Sequence, residues 1–155
     1  MLPMELFLRL GYLVALVLIC PTLMADVLIV SNTHHPMDAL TTKDVRNIYL
    51  GRLHMYPGTN IEPHPIDLPQ ESPRFENFYT DVVELPPAKL KRYRAYYLFS
   101  GKGKIPHQAS SYNNLIKILS EDPYAIGYVF AADPLNEKLK VLLRVESEFT
   151  NQLKE

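Results

Sequence analysis

Apolar positions along this chain recur with two different periods and lay out an alternation of strands and helices. Val27 to Val30 is a continuous apolar run rich in β-branched residues, read as a buried strand, and Ser31-Asn32-Thr33 closes it as a polar turn. Thr41 with Asp44 three residues on is a capping-box pattern, and Leu40 and Val45 flank it as a hydrophobic staple. Val45, Ile48 and Tyr49 then share one helical face, and Gly51 stops the helix. Ile61 to Asp67 reads as an extended segment, and Pro63 and Pro65 make it an edge or irregular strand. A second helix opens at Ser72-Pro73, with Ser as N-cap and Pro in the first helical position. Phe75, Phe78, Tyr79, Val82 and Val83 complete its i, i+3, i+4, i+7, i+8 stripe.

A third helix starts at Pro86-Pro87, with Leu90, Tyr93, Tyr97 and Leu98 as its apolar stripe and Lys89, Lys91, Arg92 and Arg94 on its polar side. The loop from Ser100 to Pro106 ends it. A fourth begins near Ser110 or Ser111, carries Tyr112, Leu115, Ile116 and Leu119 on one face, and breaks at Asp122-Pro123. Ala125 to Phe130 and Lys140 to Val145 read as strands around a turn at Asp133-Pro134. The order β, α, β, α, α, α, β, β predicts an α/β fold, a mixed sheet flanked by helices. Gly127 interrupts an otherwise good strand, which marks a close backbone approach or a bulge.

Residues 1–25 stand outside that pattern and have the anatomy of a signal peptide. Arg9 supplies a positive start, Leu10 to Ile19 form an apolar stretch, and Leu23-Met24-Ala25 ends in a small residue suited to cleavage. Pro21 breaks the apolar run, which is shorter than the ~20 residues a membrane span needs. The only cysteine, Cys20, lies in this segment, preceded by Ile19 rather than the small residue a lipoprotein signal wants. Residues 26–155 are then one cysteine-free domain, expected in the periplasm and not membrane-spanning. Its 15 basic and 16 acidic residues predict no nucleic-acid or membrane partner from bulk charge.

Three groups of residues invite a chemical reading. The stretch Leu68-Pro-Gln-Glu-Ser-Pro-Arg74 combines a helix start, the Ser72 hydroxyl and the Arg74 guanidinium, the few parts that a small-oxyanion site requires. Against it stands the plain alternative of a Ser cap beside a solvated Arg. The run Lys89 to Lys104 is basic, free of acids and interleaved with Tyr93, Tyr96 and Tyr97. It reads either as a solvated helix face or as a surface for polyphosphate, an anionic head group or an acidic partner. His34, His35, His54, His64 and His107 have no i, i+4 pairing of a metal helix. No nucleophile elbow is present, and Gly101-Lys-Gly-Lys104 lacks the Walker spacing, so no enzyme activity, metal or cofactor is expected.

Ile48-Tyr-Leu-Gly-Arg52, the turn Met55-Tyr-Pro-Gly58, the loop Glu71-Ser-Pro-Arg74 and Asp122-Pro-Tyr-Ala-Ile-Gly-Tyr-Val129 occur in an order that resembles the phosphate-binding proteins of ABC uptake systems. There a helix ending Ile-Phe-x-Gly-Lys is followed by an Arg-x-Asp-Gly-Ser-Gly-Thr phosphate loop and a Thr-Pro-Gly-Ala-Ile-Gly-Tyr-Val return strand. The resemblance covers about Val27 to Val145 and matches the short, single-lobe members of that type 2 periplasmic-binding-protein-like family. It implies Ser72 as the ligand serine. The family's loop glycines are Glu71 and Pro73 here, its threonine is Arg74, and its phosphate-clamping arginine falls at Leu68. It also implies that the first lobe has no counterpart.

Together these give an expected single lobe of a periplasmic-binding-protein-like fold that binds phosphate or another small oxyanion weakly. Ser72 and Arg74 form the centre of the expected site, with Ser31 and Asn32 facing the same crevice. The alternative is a periplasmic protein-interaction module that kept the lobe and lost the ligand, with an envelope protein as partner.

Overall fold

A computed structural model describes residues 26–101 and 103–146; the expected signal peptide and Lys102 of the basic run lie outside the described residues. Five strands form one sheet in the order β3-β2-β4-β1-β5. They are β1 Val27–Asn32, β2 His64–Asp67, β3 His107–Gln108, β4 Ala125–Phe130 and β5 Leu139–Val145. The sheet is mixed. β1 runs antiparallel to both β4 and β5, whereas β2 is parallel to β3 and β4. Four helices connect them: α1 Thr42–Tyr49, α2 Pro73–Asn77, α3 Pro87–Phe99 and α4 Tyr112–Glu121.

Alternation along β4 sorts the helices onto two faces. Gly127 faces α4, where an added Cβ would lie 2.9 Å from a methyl of Leu115 and of Leu119. Tyr128 faces the other way and stacks on Phe78 with ring centroids 3.8 Å apart. Tyr49 of α1 meets both rings edge-on. Its hydroxyl, fully buried, is shared between the carbonyls of Ile66 in β2 and Ile126 in β4, at 3.1 and 3.2 Å. That contact reinforces a short ladder, since β2 pairs with β4 only at His64 and Pro65, and Pro65 has no N–H to give.

The helix starts follow the sequence. Thr41 and Asp44 form the reciprocal capping box, Ser72 caps α2, and Ser111 caps α4. All five stripe residues of the second helix are buried. That helix widens into a π turn over Phe78–Val82, with the Val83 N–H donating to the Phe78 carbonyl at 3.1 Å. Phe78 and Tyr79, adjacent in sequence, are both completely buried there.

Four expectations change. Ser31 and Asn32 are not a turn: β1 continues through them, paired with Ile126 and Lys140 and with Leu139, and both are buried. Polar residues are tolerated because Asn32 is satisfied, donating to the Ser120 carbonyl at 2.8 Å and accepting from the His34 N–H. β3 was not foreseen, and it covers Ile66 and Asp67, so only the proline-bearing part of β2 is an open edge. In α3, Leu98 faces solvent at 52 % exposure, while Arg94 takes the inner position. The inner face is therefore Leu90, Tyr93, Arg94 and Tyr97, and a cation is accepted on it because Asp67 lies opposite.

Candidate functional site

β2 and β4 run parallel, so Asp67 and Phe130 end at the same edge of the sheet. Open α/β sheets offer ligands that edge, beyond the carboxyl ends of the parallel strands. Two loops meet there. One leaves β2 and reaches the Ser72 cap of α2. The other turns out of β4 through Ala131, whose N–H donates to the Asp26 carbonyl at 2.9 Å.

A salt bridge joins the two loops. Arg74 holds the carboxylate of Asp133 with both terminal nitrogens, one of them at 2.6 Å. Asp133 also accepts the Phe130 N–H at 2.9 Å, and its side chain is only 11 % exposed. The guanidinium lies between the rings of Tyr112 and Phe130, 5.0 and 5.4 Å from their centroids. The hydrogen bond to Asp133 raises the Arg74 pKa further above its ordinary value. The Ser72 hydroxyl, half-buried, accepts the Arg74 N–H at 3.2 Å and keeps its own proton to donate.

Beside this edge a second acid–base pair is nearly sealed from solvent. Asp67 is 2 % exposed and accepts from Arg94 at 2.7 Å and from the Tyr79 hydroxyl at 3.0 Å on each oxygen. Burial pushes the Asp67 carboxyl up to about 6, against the downward pull of Arg94 and Tyr79. Burial likewise raises the Tyr79 hydroxyl well above its ordinary value. The Arg94 Nε is buried without a hydrogen-bond partner. A cavity of about 380 Å³ opens over the pair, lined also by Gln70, Ile105, His107 and Gln108.

Ser72 and Arg74 thus stand together at the carboxyl edge. Ser31 and Asn32 do not join them. They occupy the other end of β1, opposite Ile126 rather than Phe130, and Asn32 is committed to α4. Leu68, where the resembling family carries its clamping arginine, is a core residue at 1 % exposure. Sequence reading missed the Asp67–Arg94 pair and the Asp133 partner. The signals were an acid inside the apolar run Ile66-Asp67-Leu68 and an Asp-Pro turn following β4. Among the described residues no three His, Cys, Asp or Glu side chains converge on a metal site.

No family model and no curated protein matches this chain. Solved structures do match it. A phosphate ABC transporter substrate-binding protein from Clostridium perfringens, determined with bound phosphate, superposes with a TM-score of 0.62 at 14 % identity, over 84 % of this chain and 51 % of its own. An ABC-type phosphate transport receptor from Vibrio cholerae gives 0.60 at 15 % identity, over 76 % and 46 %. PstS from Borrelia burgdorferi gives 0.52 at 12 %, over 69 % and 42 %. The fold is a single lobe of a periplasmic-binding-protein-like structure. This lobe spans about half the length of the solved chains it matches. The likeness at these identities is one of fold.

Proposed function

We propose that this chain is an exported, non-enzymatic solute-binding lobe, residues 26–155 behind a cleaved leader, that binds phosphate or a similar small oxyanion weakly. The observation that carries the reading is the Ser72 cap, whose hydroxyl accepts the Arg74 backbone N–H, followed at once by a guanidinium that already binds the carboxylate of Asp133. Phosphate-transport proteins of the same fold support it, one of them with phosphate bound. Weakness follows from two features. Leu68 supplies no charge, and an incoming anion must displace Asp133 from Arg74. A dissociation constant of roughly micromolar to millimolar is expected, about −8 to −4 kcal/mol.

Titration calorimetry with phosphate and sulfate tests this, with Arg74→Ala as the control that should lose binding. Nanomolar affinity, or affinity unchanged in Arg74→Ala, overturns it. The second reading, a protein-interaction module without a ligand, is favoured by the same Asp133, which already satisfies Arg74. No heat at millimolar phosphate from a folded chain selects it.

A further inference from the structure

The last turn of α3 exposes side chains that a solvated helix ordinarily hides. Phe99 is 93 % exposed, Tyr96 66 % and Leu98 52 %, and Ile105 in the following loop is 46 % exposed. None of the three helix residues lines the cavity over Asp67 and Arg94 or the one of about 500 Å³ between Ile48, Gly51, His64 and Lys104. They protrude, rather than forming a groove. Helical spacing puts Lys91, Arg92, Ala95, Tyr96 and Phe99 on one outward face, and every one of them is exposed.

Charge is segregated onto this part of the chain. Residues 85–108 contain six Lys and Arg and no Asp or Glu, although the whole chain has a net charge of −1. Arg94 and Lys104 are neutralised by Asp67 and Glu62. Lys89, Lys91 and Arg92 are exposed and form no salt bridge among the described residues. A second copy is a poor occupant, because self-association would press these cations against each other. A surface of fixed negative charge with an apolar layer beneath it fits both halves of the feature.

We propose that the C-terminal turn of α3 docks this domain on an anionic phospholipid surface. Phe99 and Leu98 enter the boundary between head groups and acyl chains, Tyr96 lies at head-group level, and Lys89, Lys91 and Arg92 meet the phosphates. The apolar end of the patch lies away from the carboxyl edge. Tyr97 packs against Gly103 and near Gly51, and Lys104 pairs with Glu62 ahead of β2, the opposite end of that strand from Asp67. The proposal uses neither Ser72 nor Arg74, and the two proposals stand independently.

Co-sedimentation of the purified chain with phosphatidylcholine vesicles, with and without phosphatidylglycerol, tests the proposal. Binding is expected only with phosphatidylglycerol, and it should fall as salt is raised. Phe99→Ser and the pair Lys91→Glu with Arg92→Glu should each weaken it by roughly tenfold or more. Both sites are solvent-facing, and circular dichroism checks that the variants remain folded. The wild type and every variant are used as the mature chain, residues 26–155, so association through the leader does not enter. Equal binding across the variants, or equal binding to phosphatidylcholine alone, overturns the proposal. Absence of binding to phosphatidylglycerol vesicles at low salt also overturns it and leaves this face to an acidic protein.

Discussion

Arg74 already holds an anion: the carboxylate of Asp133, fifty-nine residues away, engages both ends of its guanidinium. Asp133 thus stands where an oxyanion would, and the two functions of Arg74 compete. Asp133→Ala should lower stability by about 1–3 kcal/mol, because the Phe130 N–H and a half-covered Arg lose their acceptor. The same change should tighten phosphate binding by freeing the fork. Thermal unfolding and calorimetry read the two effects separately. Weaker phosphate binding in the variant would mean that Asp133 serves to aim Arg74.

Asp67 gives a pH prediction. Its carboxyl, at about 6 when folded, stands above the unfolded value near 4. The folded chain therefore keeps a proton that the unfolded chain has released across that window. This group's contribution to stability is full below roughly pH 4, declines as pH rises to about 6, and is flat above. The stability advantage of wild type over Asp67→Asn should shrink over the same window. Denaturant melts at several pH values measure it; an advantage that grows with pH would show Arg94 prevailing over burial.

Tyr49→Phe should destabilise the fold by about 1–3 kcal/mol without opening a cavity. Its buried hydroxyl bridges the carbonyls of β2 and β4 where Pro65 thins the ladder. Hydrogen exchange should then rise at β2 before it rises at β1. An unchanged unfolding midpoint would mean that the strand pairing suffices alone.

Gly127→Val should cost about 1–3 kcal/mol through overpacking. Even the first added carbon meets methyls of Leu115 and Leu119 at 2.9 Å, and both leucines are completely buried. Thermal unfolding decides it, and an unaltered midpoint would show that α4 can slide away from the sheet at no expense.

What was legible in the sequence was what local chemistry determines. The Thr41–Asp44 box, the Ser72-Pro73 start and the stripe from Phe75 to Val83 each depend on neighbours within a few residues, and all are present. What was not legible depended on distant partners. Arg94 looks like a surface charge until Asp67 is folded against it, and Asn32 looks like a turn residue until the end of α4 supplies its carbonyls. The π turn and the two-residue β3 leave no periodic signal of their own. The candidate site was half legible: Ser72 and Arg74 came from one contiguous loop, whereas the partner that neutralises Arg74 lies on the far side of β4 in sequence.

The antiparallel strand β1 lies between β4 and β5, so its hydrogen-bonding neighbours are found about a hundred residues downstream. Closing such a span is entropically costly and makes for slow assembly. As the chain is made, Val27 to Asn32 has no strand partner until Ala125–Phe130 arrives, and one edge stays open until Leu139–Val145 follows. Until then a strand that the finished fold buries completely is left with an open edge, so the order of assembly as well as the strength of the finished fold bears on aggregation.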